Sequence, residues 1–442
     1  MVLADLITAN SRHGRPVAYL SDGELTAEQV AELGTALRPE EIVLVSMVGV
    51  RSLVEILCAL DGRVAGLLLI SSSFDPEVVR DLYNISGATC LVSDRVDLAK
   101  AMQPEEVLGP RQGRIAETAW MMTTSGTTGI PKIVPHTLAS LSRTVRRDPL
   151  AQAPVWGLVY DMTRFAGLQV ALQSFIGGGT LAAADMNKPL VEQVAFLAET
   201  GTTHLSATPT LWRRLLMVPE VENLPLRQVT LGGEIADQTI LDAVSNRFPK
   251  ARVTHIYAST EAGVGFAVND RRAGFPVSYF NDAPGGVGVR MAEGMLWLLS
   301  PDARKPGYLG GQDIPVDSEG YILTGDQIAI ENDRVLFLGR NSGVVNVGGV
   351  KIHPERVELT IATVVGVGLV RVNARTSPIT GALLEATVVP AAPDADLHVL
   401  RAAIIAKCRK ELEREAVPAR IHFVASLETN AAGKIHRDLR TI

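Results

Sequence analysis

Short, almost wholly apolar runs recur along this chain, with room for one helix between successive runs. They occupy residues 42–48, 64–70, 89–93, 119–122, 179–183, 204–207, 228–231 and 253–257. Helical patterns fall between them at 52–60, opened by Ser52 as N-cap, and at 76–83, 190–199 and 238–248. A strand that is apolar at successive positions is buried on both faces, as in a parallel sheet covered by helices. The rhythm therefore predicts an α/β architecture with mostly parallel sheets.

The texture changes at residues 275–325, where short apolar stretches are broken by glycine and an antiparallel β subdomain is expected. Near Arg340, Asn-Ser-Gly punctuates the chain again. A small α+β unit is predicted beyond it, with strands at 368–372, 383–389 and 421–424. The helix between the last two carries Leu400, Ile404, Cys408 and Leu412 at every fourth position on one side. This divides the chain into 1–339 and 340–442.

Composition excludes several classes. With 442 residues, 47% hydrophobic and 20% charged, the chain can build a large core and is neither disordered nor fibrous. Lys plus Arg number 42 against 48 Asp plus Glu, a net charge of −6 that offers no field for nucleic acid or an anionic membrane. Cys58, Cys90 and Cys408 are too scattered for a disulfide framework or a CxxC metal site. No apolar run reaches the roughly 18 residues a membrane span needs. The start lacks the basic and long apolar regions of a signal peptide, so a cytoplasmic protein is expected.

The densest local signal is Thr123-Thr-Ser-Gly-Thr-Thr-Gly-Ile-Pro-Lys132, directly after the apolar run at 119–122. Its glycines permit positive φ, which lets successive N–H groups converge on an anion. Its hydroxyls are further donors, and Lys132 adds a mobile cation. A Ser/Thr/Gly-rich surface turn would share this composition. The position after a buried strand favours a ligand loop at the carboxyl edge of a sheet. No GxxxxGK[ST] spacing is present, so it is not a Walker A loop.

This segment resembles the phosphate loop of the adenylate-forming superfamily: acyl- and aryl-CoA synthetases, peptide-synthetase adenylation domains and luciferases. Five further segments resemble that family's motifs, in family order. They are Leu231-Gly-Gly-Glu234, Tyr257-Ala-Ser-Thr-Glu261, Tyr321-Ile-Leu-Thr-Gly-Asp326, Phe337-Leu-Gly-Arg340 and Asn430-Ala-Ala-Gly-Lys434-Ile-His-Arg437. The resemblance implies ATP contacts from Thr124, Ser125, Gly126, Thr127, Thr128, Gly129 and Lys132. It adds Gly232, Gly233, Glu234 and Tyr257, with Asp326 on the ribose and Arg340 on ribose or phosphate. Glu261 is the implied Mg²⁺ ligand and Thr260 an α-phosphate contact. Lys434 is the implied adenylation lysine, carried by a mobile C-terminal domain that closes over the ATP- and carboxylate-binding domain. Such parts suit the chemistry. A carboxylate is already ionised at pH 7, so attack on phosphorus needs charge neutralisation and not a general base.

The sequence departs from the family at the hinge, where Ser342 followed by Gly343 replaces the usual Asp or Lys. The phosphate loop begins near residue 123, so the family's N-terminal region is expected to be trimmed. Ala258 stands where acetate-specific members have Trp, which implies an acyl group larger than acetate. Gly348 and Gly349 resemble the Gly-Gly turn of acyl- and aryl-CoA ligases, and Arg164 stands where those ligases have His in a His-x-x-Gly-Leu pattern. Against that, Tyr160-Asp161-Met-Thr163 resembles the segment that anchors a substrate amine. The reading is an ATP- and Mg²⁺-dependent ligase that adenylates a small carboxylic acid and passes the acyl group to a thiol. That thiol would be coenzyme A or the phosphopantetheine of an external carrier protein. A stand-alone amino-acid adenylating enzyme and a non-catalytic nucleotide-binding paralogue are the alternatives.

Overall fold

The structure is a computed structural model that describes residues 2–11, 14–114, 117–124, 130–147, 153–301, 307–310, 314–377 and 381–427. Two parallel-type sheets form the larger part. One is ordered Cys90–Ser93, Ile42–Ser46, Gly66–Leu69, Ala119–Thr123 and Ile133–His136, the last strand antiparallel. The other runs Gly263–Val268, Arg252–Ser259, Gln228–Gly232, His204–Ala207, Val155–Leu158, Thr180–Ala183, Ala18–Leu20 and Gly23–Leu25. Its six inner strands are parallel and its two edge strands antiparallel.

Helices Val50–Leu60 and Phe165–Gly177 share one core with both sheets. Leu53, Ile56 and Leu57 of the first and Leu168 and Leu172 of the second join Val43, Leu67 and Trp120 on one side and Leu158 and Leu181 on the other. Burying each such side chain contributes about 1.5–3 kcal/mol, so the layers lock as a unit. Trp120 is fully buried and donates its indole N–H to Asp61 at 2.8 Å, which pins the strand that leads into the 123–132 segment.

The first helix differs from expectation. It starts at Val50, with Gly49 and not Ser52 as N-cap. The amides of Val48 and Gly49 donate to the Asp94 carboxylate at 2.7 and 2.8 Å, so a distant residue sets the entry. The 190–199 and 204–207 elements fall where periodicity puts them.

The glycine-punctuated region forms an antiparallel sheet ordered Phe275–Pro276, Arg334–Arg340, Ile322–Glu331, Met295–Leu299 and Gly288–Ala292. The C-terminal unit has strands Val367–Ser377, Gly381–Pro390 and Arg420–Phe423, packed with helices Pro354–Ala362 and Leu397–Glu411. Leu400, Ile404 and Cys408 are buried in it; Leu412 lies just past the helix end and is partly buried. No helix among the described residues is long and apolar enough to cross a membrane.

Candidate active site

The turns that leave the carboxyl ends of parallel strands carry Thr124, Asp161, Arg164, Gly233, Glu234, Thr260 and Glu261, the placement expected for a ligand site in an α/β sheet. Thr123 ends the strand Ala119–Thr123, and the Thr124 amide donates to the Lys132 carbonyl at 2.9 Å. This bond continues the Thr123–Ile133 pairing and brings the two ends of the 124–132 segment together. Ser125, Gly126, Thr127, Thr128 and Gly129 lie outside the described residues, as does Lys434.

Lys132 stacks its ammonium 4.5 Å from the ring centroid of Tyr308. The Tyr308 hydroxyl donates to Glu261 Oε1 at 3.0 Å. Burial, with the neighbouring Glu261 charge, raises the Tyr308 pKa, so the hydroxyl keeps its proton and stays a donor. Tyr308 is held in place because the next amide, Leu309 N–H, donates to the Ile133 carbonyl at 2.9 Å. One ring thus ties the loop lysine to the glutamate. Sequence reading missed Tyr308, which belongs to none of the six motif segments.

Thr260 and Glu261 follow the strand Arg252–Ser259, which shifts register between Tyr257 and Ala258. Such a bulge bends a strand and re-aims the residues beyond it. His136, on the strand returning from the phosphate loop, faces this turn. Burial lowers its pKa, while the Thr260 carbonyl and the Glu261 charge act the other way. Its Nε2 is buried without a hydrogen-bond partner among the described residues.

The Tyr257 hydroxyl donates to Asp326 Oδ2, and Arg340 Nε lies 2.8 Å from Asp326 Oδ1. Burial and the Asp326 charge lift the Tyr257 pKa well above its ordinary value. The ring stacks with Phe337 at 5.2 Å and with Phe266 at 5.5 Å. Asp326 and Arg340 are direct cross-strand partners, so the antiparallel pairing brings these two motif residues together. Asp326 is 15% exposed and Arg340 57%. Each carboxylate oxygen can accept more than one bond, so Asp326 retains capacity for hydroxyl donors.

Other expected residues have visible structural work. Glu234 accepts the Thr210 amide at 2.9 Å and so satisfies the first turn of helix Pro209–Leu216. Gly232 ends the strand Gln228–Gly232, and Gly233 follows at φ +81°. Gly348 and Gly349, at φ +61° and +95°, form the two-residue turn of the hairpin Val345–Val347 and Val350–Ile352, which the left-handed conformation reserves for such residues. That hairpin packs on the strand Gly381–Pro390 and the turn Arg414–Ala416. Ser342 is exposed in a short 3-10 turn, Asn341–Gly343. Beside it, His353 Nε2 meets Gln327 Oε1 at 2.6 Å across the seam to the C-terminal unit.

Asp161 and Arg164 lie between the strand Val155–Leu158 and the helix Phe165–Gly177. Asp161 Oδ1 accepts the Thr163 amide at 2.9 Å and its hydroxyl at 2.6 Å, while Oδ2 accepts the Ser71 hydroxyl at 2.5 Å. The carboxylate is thereby committed to its own turn and to a neighbouring loop.

For a magnesium ion the donor set fits. Among the described residues Glu261 Oε2 accepts no hydrogen bond, and no three His, Cys, Asp or Glu converge as an all-protein cage. Mg²⁺ is characteristically held by one or two carboxylates together with substrate phosphates.

Two α/β sheets with a phosphate-type hairpin, a tyrosine–aspartate–arginine cluster and a C-terminal unit seated beside it define a nucleotide-using enzyme class. A family model described as AMP-binding enzyme matches residues 67–306, and one described as AMP-binding enzyme C-terminal domain matches 356–434. The chain belongs to the AMP-binding enzymes. It is 28% identical over 288 residues to the 2-succinylbenzoate–CoA ligase of Salmonella typhimurium, covering 62% of this chain and 57% of that protein. It is 26% identical over 423 residues to the D-alanine–D-alanyl carrier protein ligase of Bacillus velezensis, covering 83% and 82%. The fold is similar to that of the anthranilate CoA ligase AuaEII in complex with anthranoyl-AMP, with a TM-score of 0.82, 15% identity, and 98% and 95% of the two chains covered. The crystal structure of ATP-bound MatB from Rhodopseudomonas palustris is also similar, at a TM-score of 0.78 and 19% identity, covering 98% and 97%.

Proposed function

We propose that this protein is an ATP-dependent carboxylate-activating ligase. It would form an acyl adenylate and pyrophosphate, then pass the acyl group to a thiol of coenzyme A or of a carrier protein's phosphopantetheine. The observation that carries the reading is the convergence of three distant segments, Lys132 to Tyr308 to Glu261, beside the Tyr257–Asp326–Arg340 cluster. A cation, an expected metal ligand and an expected ribose acceptor are thereby gathered in one place, which supports a nucleotide triphosphate as the ligand. The curated relatives, a CoA ligase and a carrier-protein ligase, support the thiol as acceptor.

In this reading Asp326 accepts the ribose hydroxyls, held by Tyr257 and Arg340. Lys132 leaves the Tyr308 ring for the phosphates of ATP, and Thr260 donates to the α-phosphate. Glu261 would hold Mg²⁺, whose charge would offset that of the phosphates. Lys434 would supply the cation that grows in importance as the carboxylate meets phosphorus, with residues 340–442 moving as a body over residues 1–339 about Ser342. With Asp161 engaged by Ser71 and Thr163, the amino-acid alternative loses that residue as an uncommitted amine anchor.

The test is carboxylate-dependent ATP–pyrophosphate exchange across aliphatic, aryl and amino acids. Exchange is expected with at least one non-amino acid. Lys434→Ala should lower it by about 10²- to 10³-fold, while thiol transfer from supplied acyl adenylate survives. Loss of both half-reactions would contradict the role given to Lys434.

A further inference from the structure

Arg164 meets its counter-charge only at long range, in an ion pair with Asp161. Its side chain is 15% exposed, and among the described residues its one hydrogen bond runs from Nη1 to Thr123 Oγ1 at 3.2 Å. Nε is buried with no partner. The nearest carboxylate oxygen, Asp161 Oδ2, stands 4.0 Å from Nε, outside hydrogen-bond reach, and already accepts from Ser71. One face of the guanidinium lies on the Phe74 ring at 4.6 Å, which leaves the hydrogen-bonding edge for a planar group. Burial lowers its pKa, and the Asp161 charge offsets this only in part.

Its place in the fold says where an anion would sit. Thr123 is the last residue before the phosphate-loop hairpin. Phe165, the next residue after Arg164, lies 6.0 Å ring to ring from His136 on the strand that leaves that hairpin. The guanidinium, bonded to Thr123, is therefore at the foot of the loop.

Three anions are available in the proposed reaction; in the reading above the triphosphate already has Lys132, Lys434 and Mg²⁺, which leaves the two ends of the acid. The reacting carboxylate loses its charge as the mixed anhydride forms, so a cation dedicated to it would favour the bound acid over the transition state. A second carboxylate on the same substrate keeps its charge from binding to release. We propose that Arg164 is the specificity-determining residue of the acyl site, and that the substrate is a dicarboxylic acid whose non-reacting carboxylate pairs with the guanidinium. This rests on the carboxylate-activating reading above.

The experiment is ATP–pyrophosphate exchange by the full chain with dicarboxylic acids and their monoesters, on aliphatic and aryl spacers. The unaltered protein should favour the diacid by about 100-fold in kcat/KM. Arg164→Met should bring that ratio to within about fivefold, chiefly by raising KM for the diacid. Arg164→Lys, which keeps the charge and loses the fork, should fall between, and it carries the test if circular dichroism shows the Met variant unfolded. A preference for monoesters in the unaltered protein, or a ratio that neither variant moves, would overturn the inference while leaving the activating reading intact. Exchange with no carboxylate at all would overturn both.

Discussion

Asp326 is shared by two neighbours that pull on different oxygens, and that geometry makes it a test point. Tyr257 and Arg340 fix the carboxylate, so its removal loses acceptors without opening a cavity in the main core. We expect Asp326→Ala to raise the KM for ATP by about 10- to 100-fold, since hydrogen bonds to charged groups contribute roughly 1.5–3 kcal/mol each. Steady-state exchange kinetics at varied ATP measure it; an unchanged KM would remove Asp326 from the ribose site. Residues of this kind were legible in the chain because their motifs are contiguous and ordered. Tyr308, His136 and Phe74 were not, because each acts through a neighbour from another segment. A half-buried tyrosine that positions a glutamate looks, in sequence, like any aromatic in a β-rich region.

The elements were legible to differing degrees. Parallel strands announce themselves because both faces are buried, and 204–207 and 228–231 fall inside observed strands. The helix at Val50 starts earlier than its local residues suggest because Asp94, on another turn, supplies the acceptor. Helix Phe165–Gly177 has a further constraint at Gly167. A Cβ there would lie 2.3 Å from the Asp161 carbonyl oxygen, so glycine alone lets the helix seat on the turn that carries Asp161 and Arg164. Gly167→Ala is expected to destabilise the fold by about 1–3 kcal/mol through forced backbone shifts, read as a lower urea midpoint. If the midpoint does not move, that close approach is not what positions the helix.

For the whole molecule, acid should be felt first through a partly buried imidazole. His204 lies in the eight-stranded sheet, 4.7 Å from the Trp156 ring. Burial, aided by the Arg227 charge, lowers its pKa from 6.5 to about 4. The fold therefore prefers the neutral ring, and the unfolded chain binds its proton first as pH falls. This contribution to stability is complete above pH 6.5 and is lost between 6.5 and about 4. It amounts to about 3 kcal/mol at most. Chemical denaturation at stepped pH should show the decline, and His204→Gln should flatten it over that window. An equal decline in the variant would assign it to other groups.

Lys132 and Glu261 carry opposite charges, yet the Tyr308 ring meets one on its face and the other at its hydroxyl. Two such groups left to themselves would cancel each other in a direct ion pair, and an arriving triphosphate would first have to pry them apart. With an aromatic spacer between them, neither has spent its charge on the other before the nucleotide arrives.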